Sequence, residues 1–515
     1  MKIVTGQVMA EVDRISIQDR GIPSLSLMES AGRATARHFH RCCGDPSARV
    51  LILCGKGNNG GDGLVAARNL LGFGYRPRVV LTHSPEELSE DSRINFERYR
   101  CLPLSRWSVW DPEQGDEVFE GNPVVLDSLL GTGAKGEPRS PYGDLIERAN
   151  DCASWCFGVD IASGINSDTG EVAGEAVGCR STLTFGLPMV GHFRWDGIDY
   201  TGTLSVADIG FPKDVTDRVE AEAELITQEW ARENLPRYTR SVHKGDRGRV
   251  LIVAGSAAML GAAVLCSRAA IRTGAGLTTL AIPKSLNASI KGILPEVMTL
   301  PLPENDNGEF SEEALKKILS FADSMDSIGV GPGLGRSEGV RSMVRGLVAK
   351  TNLPMVVDAD GLFALSDEEG RKILKERTAE TVLTPHPGEF LRLCGENLGM
   401  EDLKKESWER CRALSKELEV SILLKGPATA IGSPDGRILI NRSGHPAMSQ
   451  GGMGDILTGM VATFLGEGLI PQEAAGLAAY VHGRAAEWAY CETGSRTVSA
   501  SEVADSLSKV FRELG

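Results

Sequence analysis

Hydrophobic residues fall into short runs along this chain, and longer amphipathic stretches lie between the runs. In the first half the runs occupy positions 49–55, 76–82, 123–131, 155–164, 181–188 and 202–210. Short, mostly apolar runs of this kind are typical of parallel strands that are buried on both faces of a sheet. The stretch 24–39 before them is expected to form a helix, with Ser24 or Ser26 as its cap.

The same alternation starts again in the second half of the chain. Strands are expected at 248–256, 277–283, 327–333, 355–361, 381–387 and 420–426. A helix is expected at 261–276, and the Asp-Gly pair in "GSPDGRILI" predicts a hairpin. A polar stretch separates the halves. We therefore place the boundary near 213–230 and assign residues 1–218 and 219–515 to two α/β domains.

Length, charge and cysteine content restrict the class of protein. A chain of 515 residues is too long for one ordinary hydrophobic core, so two or three domains are expected. The net charge of −14 argues against a nucleic-acid or anionic-membrane partner. The 11 cysteines are scattered without a C-x-x-C pair, which indicates reduced thiols. Neither an apolar leader nor an apolar run of membrane length is present, so a cytoplasmic location is expected.

A glycine-rich segment, "GKGNNGGDG" (55–63), follows the first predicted strand directly. Gly55, Gly57 and Gly60 match the G-x-G-x-x-G turn of Rossmann-like, three-layer domains that bind dinucleotides. Asp62 and two asparagines stand where the pyrophosphate would lie, and a carboxylate beside a phosphate is repulsive unless a cation or a reaction requires it. The segment therefore predicts a nucleotide site with added chemistry, although a plain βα turn would also need its glycines.

Two aspartates end neighbouring apolar runs and are expected at the same crevice as the glycine loop. They are Asp127 and Asp160, and each could instead cap a helix. Together with Asn59 and Ser163 they form a set of oxygen ligands without sulfur or imidazole, which suits a hard cation. The loop 131–137 adds backbone amides and a lysine that suit an anion. The pattern predicts a phosphate-bearing ligand, a cation, and a carboxylate placed for proton transfer.

The second half carries a sharper motif, "SQGGMGDILTGMVATFL" (449–465). Gly451, Gly452 and Gly454 precede an apolar helix, so bare backbone amides and the helix N-terminus can form an anion hole. Asp455 stands in the first turn and could accept a hydroxyl proton during phosphoryl transfer, or simply cap the helix. The chain lacks G-x-x-x-x-G-K-[ST], so it is not a P-loop enzyme.

Further candidates surround this motif. Lys425 ends a strand in "LLKGPATAI", which suits contacts to nucleotide phosphate and adenine. His386 lies between two prolines in "LTPHPGEF", and Glu389 in the same turn could support magnesium or cap the next helix. Asp358 and Asp360 are as suited to capping or hydrogen bonding at a sheet end as to catalysis.

These motifs resemble a known family. The N-terminal half, through "LMESAG", "GKGNNGGDG", "LDSLLGTG" and "DIASGINSDTG", resembles the NAD(P)H-hydrate epimerase domain. The C-terminal half, through "HKGDRGRVLIVAGS", "GPGLG", "TPHPGE", "LLKGPAT" and "GGMGD", resembles the ADP- or ATP-dependent NAD(P)H-hydrate dehydratase, which has a ribokinase-like α/β fold. The two resemblances together cover nearly the whole chain. In this order of its halves, the chain resembles the bifunctional NAD(P)H-hydrate repair enzymes.

The resemblance implies a role for each matching position in the first half. The hydrated nicotinamide nucleotide would bind at Asn58, Asn59, Gly60, Gly61, Asp62, Gly131, Thr132, Gly133, Ala134, Lys135, Gly136, Glu137 and Asp160. Asn59, Asp127 and Ser163 would bind K⁺. Asp160 would assist proton movement while the R and S epimers at C6 of the nicotinamide ring interconvert.

In the second half the resemblance implies dehydration of the S epimer at the expense of ADP or ATP with Mg²⁺. The hydrates NADHX and NADPHX would contact Ala262, Gly333, His386 and Asp455. The adenine nucleotide would contact Lys425, Gly426, Pro427, Ala428, Thr429 and Gly454. Asp455 would act as the base when the C6 hydroxyl is phosphorylated. Met453 departs from the family pattern, which more often has Ser or Thr there, so nucleotide affinity is in question.

Two other functions remain open from the sequence. The chain could be a vitamin or sugar kinase fused to a nucleotide-binding module, with no use for the cation ligands of the first half. Alternatively, the first half could be a non-catalytic interaction module. A homo-oligomer is expected because domains of this kind often assemble through helix faces, and the residues do not separate ADP from ATP or NADHX from NADPHX.

Overall fold

The computed structural model describes residues 1–395 and 398–515. The chain divides into two compact units, Lys2–Glu222 and Ala223–Gly515, with Met1 belonging to the second. Each unit contains a wholly or largely parallel sheet covered by helices, as the apolar runs predict. The assignment of residues 1–218 and 219–515 to two functional domains stays a prediction.

The first unit alternates strands and helices. Its strands are β1 (Lys2–Ile3), β2 (Val50–Cys54), β3 (Arg78–Leu81), β4 (Arg106–Val109), β5 (Val124–Ser128), β6 (Trp155–Val159), β7 (Cys179–Phe185) and β8 (Thr203–Ala207). Its helices are α1 (Gly6–Arg14), α2 (Ser24–Cys43), α3 (Asn58–Gly72), α4 (Glu90–Arg100), α5 (Gly115–Phe119), α6 (Tyr142–Cys152), α7 (Gly197–Thr201) and α8 (Lys213–Thr216). A π-helical turn, Ile15–Asp19, continues α1.

The sheet of the first unit has the order β4-β3-β2-β5-β6-β7-β8, and all its pairs are parallel. Alternate residues of β2 face opposite layers. Val50 and Ile52 pack with α2, α3 and α4, whereas Leu51 and Leu53 pack with α1, α5 and α6. The three-layer arrangement explains why this strand is apolar at every position, since neither face of the sheet meets water.

The second unit has a larger sheet and more helices. Its strands are β9 (Ala223–Leu225), β10 (Arg249–Val253), β11 (Leu277–Pro283), β12 (Met298–Leu302), β13 (Ser327–Val330), β14 (Met355–Val357), β15 (Thr381–Leu383), β16 (Ser421–Leu424), β17 (Thr429–Gly432) and β18 (Ile438–Asn441). Its helices are α9 (Gln228–Asn234), α10 (Leu260–Thr273), α11 (Asn287–Ile293), α12 (Ala314–Ala322), α13 (Glu338–Lys350), α14 (Asp360–Leu365), α15 (Glu368–Glu376), α16 (Pro387–Cys394), α17 (Met400–Lys405), α18 (Ser407–Leu418), α19 (Met453–Gly466), α20 (Pro471–Thr493) and α21 (Ala500–Leu514).

The strands of the second unit lie in the order β9-β18-β17-β16-β15-β14-β13-β10-β11-β12. Pairs from β12 to β16 are parallel, and β17 pairs antiparallel with both of its neighbours. The β17–β18 hairpin predicted from the Asp-Gly pair is therefore confirmed, with Gly432 opposite Ile438. The apolar helix α19 packs on α10, α20, β10 and β13, so it is buried nearly all round.

Some local expectations were wrong. Neither Ser24 nor Ser26 caps α2, because both lie inside the helix and Pro23 occupies the cap position without a side-chain bond. The edge strand β4 escaped notice because its residues are largely exposed and show no apolar run, and the short edge strand β12 was also missed. The polar stretch that was expected only to separate the two halves contains β9 and α9. Every helix in the described part of the chain is too short or too polar to cross a membrane.

Candidate active sites

A cavity of about 520 Å³ opens at the carboxyl end of the first sheet. The start of α3 contributes Asn58, Asn59 and Asp62, and the chain after β5 contributes residues 129–134. Asp160 enters from the end of β6, and apolar side chains of α1, α2 and the strand ends close the remaining walls. The carboxyl edge of a parallel sheet is where the sequence placed these residues.

Three oxygen-bearing side chains form a buried cluster beside this cavity. Asp127 is fully buried and Ser163 is 1% exposed. The Ser163 hydroxyl donates to Asp127 Oδ1 at 2.6 Å, and its backbone N–H donates to Oδ2 at 2.8 Å. Asn59, 9% exposed, donates through Nδ2 to the Leu130 carbonyl at 2.8 Å, while its Oδ1 has no hydrogen-bond partner. A buried acceptor without a donor fits a cation at this cluster.

Asp127 is not a helix cap in the structure. Its Oδ1 also accepts from the Leu129 N–H at 3.1 Å, so it stabilises the tight turn after β5. Burial raises the pKa of Asp127 to about 6, although the bonds from Ser163 and Leu129 act in the opposite direction. A cation at the neighbouring Asn59 oxygen would offset part of the cost of burying this carboxylate.

Asp160 occupies a left-handed backbone conformation with φ of 64°. Its Oδ1 accepts from the Thr184 hydroxyl at 2.9 Å, and its carbonyl oxygen lies 2.9 Å from His192 Nε2. His192 Nδ1 accepts the Met189 N–H, so Nε2 carries the proton and donates to Asp160. No helix follows β6 directly, and the cap interpretation of Asp160 therefore fails. These contacts fix an uncommon backbone geometry and aim the carboxyl group at the cavity.

Four aspartates line the cavity: Asp13, Asp62, Asp91 and Asp160. Burial raises the pKa of Asp160 to about 6. Burial and then the Asp160 charge raise the pKa of Asp13 to about 6 as well. The pKa of Asp62 lies well above the ordinary value, again through burial first, followed by the charges of Asp160 and Asp13. Burial and mutual charge therefore make Asp13, Asp62 and Asp160 easier to protonate than a free aspartate.

The other predicted residues of the first site divide into two groups. Gly60 and Gly61 are buried in α3, where a Cβ at Gly60 would lie 1.9 Å from the Gly55 carbonyl oxygen. They allow α3 to begin directly against the β2 turn, and they do not line the cavity. Residues 131–134 do line it, whereas Lys135, Gly136 and Glu137 are exposed beyond its wall.

The second unit gathers its predicted residues at the carboxyl edge of its own sheet. Gly452, with φ of 93°, is the cap residue of α19, and Asp455 is in the first turn without acting as the cap. Burial and the Asp358 charge raise the pKa of Asp455 to about 6, although Lys425 acts in the opposite direction. Asp455 is thus a partly buried carboxyl group beside bare helix amides, an arrangement suited to accepting a proton near an anion.

A buried ion pair lies next to Asp455. Lys425 Nζ, at the end of β16, donates to Asp358 Oδ1 at 2.8 Å, at the end of β14. The Thr458 hydroxyl of α19 donates to Asp358 Oδ2 at 2.8 Å. A Cβ at Gly454 would lie 3.3 Å from both Asp358 Oδ2 and Lys425 Nζ. The glycine therefore leaves room for this pair beneath the first turn of α19.

Two further predicted residues touch one another. Gly333 has φ of 64°, and a Cβ there would lie 2.9 Å from the Ala262 Cβ. The loop after β13 and the first turn of α10 therefore approach to backbone distance, which only glycine permits at this position. Gly426 and Pro427 are exposed and Ala428 is half-buried in the turn from β16 to β17. The hydroxyl of Thr429, the first residue of β17, donates to the Gly426 carbonyl at 2.9 Å.

His386 has a structural contact that the sequence did not predict. Its Nδ1 accepts from the Gly388 N–H at 3.0 Å, so the imidazole caps α16. Glu389 accepts the His386 N–H at 2.9 Å and completes a capping box, which matches the cap interpretation of Glu389. The Lys425 N–H donates to the Pro385 carbonyl at 2.9 Å, so this turn lies beside the lysine.

Sequence reasoning missed Asp13 altogether and left Asp358 open between a cap, a hydrogen-bonding residue at a sheet end and a catalyst. Asp13 is one of two acids in the amphipathic helix α1, beside Glu11, and no local motif marks it. Asp358 ends a buried strand, which is a usable signal, but only the folded chain brings it to Lys425 and Thr458. Asp360 proves to be structural, since it accepts from the Gly335 N–H at 3.1 Å and from Arg336 Nε at 3.0 Å.

Comparisons with known proteins agree with this geometry. Residues 250–509 match the family described as NAD(P)H-hydrate dehydratase, and residues 24–191 match the YjeF-related protein N-terminus. The bifunctional NAD(P)H-hydrate repair enzyme Nnr of Moorella thermoacetica is 37% identical over 100% of this chain and 97% of its own length. The Nnr protein of Salinibacter ruber is 36% identical over 99% and 96%.

Solved structures resemble the second unit. A ribokinase-like superfamily protein from Enterococcus faecalis superposes with a TM-score of 0.50 and 22% identity, covering 58% of this chain and 99% of that one. The ADP/ATP-dependent NAD(P)H-hydrate dehydratase of Bacillus subtilis, co-crystallised with ATP and Mg²⁺, is 31% identical with a TM-score of 0.49, covering 57% and 99%. The first of these confirms the ribokinase-like fold. Given relatives at 37% identity that it matches over almost their full length, this chain belongs to the family of bifunctional NAD(P)H-hydrate repair enzymes.

Proposed function

We propose that this chain repairs hydrated nicotinamide nucleotides in two reactions, one in each unit. The first unit interconverts the R and S forms of NADHX and NADPHX, and the second dehydrates the S form to NAD(P)H. The observation that carries the proposal is the pairing, in each unit, of a carboxyl group of raised pKa with glycine-rich backbone suited to phosphate: Asp160 with residues 131–134, and Asp455 with the turn before α19.

In the first unit, Asp160 and its carboxyl neighbours move the protons of epimerisation. The protonated carboxyl group gives its proton to the C6 hydroxyl, which leaves as water while the ring nitrogen lone pair compensates the positive charge at C6. Water then adds to the opposite face of C6, and the carboxylate takes back one proton. One proton and one water molecule are released and taken up again over the cycle. A pKa of about 6 allows Asp160 to act as both the acid and the base near neutral pH.

The buried oxygen cluster would hold K⁺. Asn59 Oδ1, Asp127 and Ser163 are the ligands of this proposal, and the unpartnered amide oxygen of Asn59 is the observation that supports it. Such an ion supplies fixed positive charge beside the phosphate-bearing ligand. The side chains themselves keep the loop after β5 in place, since the Ser163 hydroxyl also accepts the Leu130 N–H at 2.9 Å.

In the second unit, phosphorylation makes the C6 oxygen a good leaving group. Asp455 removes the hydroxyl proton as the oxygen attacks the terminal phosphorus of ADP, and AMP leaves. The C6–O bond then breaks and inorganic phosphate departs with the bonding electrons. A C5 proton passes to the departing phosphate as the C5–C6 double bond of NAD(P)H forms. The backbone amides before α19 stabilise charge on the transferring group. ATP would serve equally, with ADP as the product.

The adenine nucleotide would be held by Lys425, by residues Gly426–Thr429 and by Gly454. Ala262, Gly333 and His386 would contact the hydrate. Mg²⁺ would arrive with the nucleotide, since the described residues offer no group of three His, Cys, Asp or Glu side chains able to hold a metal ion. The proposal extends to a homo-oligomeric, cytoplasmic protein, as the sequence led us to expect.

The test follows recovery of the reduced-nicotinamide absorbance band. A mixture of R and S NADPH hydrate is supplied with ADP, Mg²⁺ and K⁺, and wild type is compared with Asp160→Asn. Full rapid recovery by wild type is expected, whereas the variant should recover rapidly only the S fraction. This result would support both activities and locate the first.

Other outcomes separate the competing functions. No recovery with either ADP or ATP would remove the repair function and favour a kinase of a stable alcohol. Equal recovery by both proteins would leave the dehydratase standing but exclude Asp160 from epimerisation, as expected if the first unit were an interaction module.

A further inference from the structure

The ion pair of Asp358 and Lys425 joins three elements at the floor of the second site. Asp358 ends β14 and is 2% exposed, and Lys425 ends β16 with a quarter of its side chain exposed. The Nζ–Oδ1 distance is 2.8 Å. The second carboxylate oxygen receives the Thr458 hydroxyl of α19 at 2.8 Å. One carboxylate thus connects two strand ends to the helix whose N-terminus forms the anion hole.

Fold stability alone gives little reason for this arrangement. Burying a carboxylate costs several kcal/mol in desolvation, and a buried ion pair often contributes no more than well-packed apolar residues would. The ion pair instead fixes the direction in which the Lys425 side chain points. A lysine side chain has four rotatable bonds and would otherwise sample many positions around the exposed turn that follows Lys425.

Glycines in the surrounding backbone leave room for the ion pair. A Cβ at Gly454 would lie 3.3 Å from both Lys425 Nζ and Asp358 Oδ2, so a larger residue would press on both charged groups. Gly331, with φ of 129°, brings its backbone so close that a Cβ would lie 1.8 Å from the Asp358 carbonyl oxygen. Gly331 in the loop after β13 and Gly454 in the first turn of α19 therefore converge on the same aspartate.

We propose that Asp358 is a positioning residue for phosphoryl transfer, holding the Lys425 ammonium group against the first turn of α19. Lys425 then presents its remaining N–H donors to the phosphates of the nucleotide, in line with the backbone amides of that turn. This inference rests on the proposed function for the identity of the nucleotide. It concerns a residue that touches neither the nucleotide nor the hydrate in the proposed scheme.

The charges around Asp455 agree with this role. The group that accepts the proton faces Asp358 from β14, Lys425 from β16, Asp360 from α14 and the Cys266 thiol from α10. After burial, the Asp358 charge is the largest contribution that raises the pKa of Asp455, and Lys425 opposes it. A lysine displaced from Asp358 would change this balance, so its position matters for proton transfer as well as for nucleotide binding.

The test is a double-mutant cycle on ADP affinity. Binding of ADP with Mg²⁺ is measured by titration calorimetry for wild type, Asp358→Ala, Lys425→Ala and the double variant. Loss of a hydrogen-bonded charged partner typically weakens binding by about tenfold or more, which is the effect expected of Asp358→Ala. Because Asp358 acts through Lys425, the double variant should bind within about twofold of Lys425→Ala alone.

Asp358→Asn is the rescue variant. Its amide oxygen can still accept from Lys425, and its amide N–H can donate to Thr458, whose hydroxyl can turn to the Gly454 carbonyl 3.0 Å away. ADP affinity should therefore return to within about threefold of wild type. Asp326→Ala is the matched control, because the Asp326 carboxylate accepts from the Arg249 N–H at the amino end of β10, away from the site. This variant should leave ADP binding unchanged.

The outcomes separate this inference from the proposed function. Additive losses in the cycle, or wild-type affinity in Asp358→Ala, would overturn the positioning role. A wild-type protein that binds ADP but repairs no hydrate would remove the proposed function, and the cycle would still decide the role of Asp358. If Asp358→Ala does not fold, the Asp358→Asn variant tests the positioning role instead. A tenfold loss of ADP affinity in Asp358→Asn would contradict positioning through hydrogen bonds, because the asparagine can still make those bonds.

Discussion

Asp127 and Ser163 hold one another through two hydrogen bonds that use both oxygens of one carboxylate. The Ser163 hydroxyl bonds Oδ1 at 2.6 Å and the Ser163 amide bonds Oδ2 at 2.8 Å. The residues lie 36 positions apart and follow different strands, yet they form a single buried unit beside the unpartnered oxygen of Asn59. The K⁺ ligands of our proposal are thus held in place before any ion arrives, and pre-organisation favours binding.

The first prediction concerns that ligand set. Ser163→Ala removes the hydroxyl but keeps the amide bond to Asp127, so the first unit should fold while its K⁺ affinity falls by about tenfold or more. The K⁺ concentration that gives half-maximal epimerisation should rise accordingly, measured by exchange between R and S hydrate. Ser128→Ala is the control, since the Ser128 hydroxyl is buried against the Leu53 carbonyl and lies outside the ligand set. An unchanged K⁺ midpoint in Ser163→Ala would exclude Ser163 as a ligand.

The second prediction concerns Asp160 and stability against pH. The pKa of Asp160 is raised from 3.8 to about 6, so the folded protein binds a proton that the unfolded chain has released. The stabilisation from this group is complete below pH 3.8 and is lost as pH rises through about 6. Asp160→Asn cannot ionise, and asparagine tolerates the φ of 64°, so the variant should melt at a higher temperature than wild type at pH 7.5.

The difference in melting temperature should shrink towards zero near pH 4, where wild-type Asp160 is also neutral. The same variant should lose epimerisation by about a hundredfold or more at neutral pH, because an amide cannot exchange the proton. A variant that melts below wild type at pH 7.5 would show that the ionised carboxylate is stabilised by contacts other than those described.

The third prediction concerns the pH dependence of dehydration. Asp455 must be ionised to accept the hydroxyl proton, and its pKa is raised to about 6. The kcat/KM for S-NADPH hydrate should therefore rise about tenfold per unit below pH 6 and level off above it. Asp455→Asn should lower dehydration by at least about a hundredfold and leave R–S exchange intact. A profile that is flat from pH 5 to 8 would contradict the role of Asp455 as the base.

The fourth prediction separates two roles of His386. Its Nδ1 caps α16, so His386→Ala should lower stability by about 1 kcal/mol, whereas His386→Asn should keep the cap. Both variants remove the imidazole, and both should raise the KM for the hydrate if His386 contacts it. Thermal melting and steady-state kinetics on the two variants distinguish the roles, since a wild-type KM in His386→Asn would leave His386 as a cap alone.

Local patterns were sufficient for much of the fold. Strand β2 is apolar at all of its positions because helices cover both faces of its sheet, and that pattern is visible without the structure. The turn between β17 and β18 is encoded by its Asp-Gly pair. The edge strand β4 has exposed residues and no such pattern, so its pairing with β3 depends on the neighbouring strand rather than on its own composition.

The sites show the same division more sharply. The positions of Asp127, Asp160, Lys425 and Asp455 at strand ends or helix starts follow from sequence, because parallel strands place their carboxyl ends at one edge. The chemistry of these residues does not follow from the sequence. The raised pKa values of Asp160 and Asp455, the recruitment of Asp13, and the contact of Asp358 with Lys425 depend on burial and on groups distant in the chain. Desolvation and charge coupling act through space, so only the tertiary structure decides them.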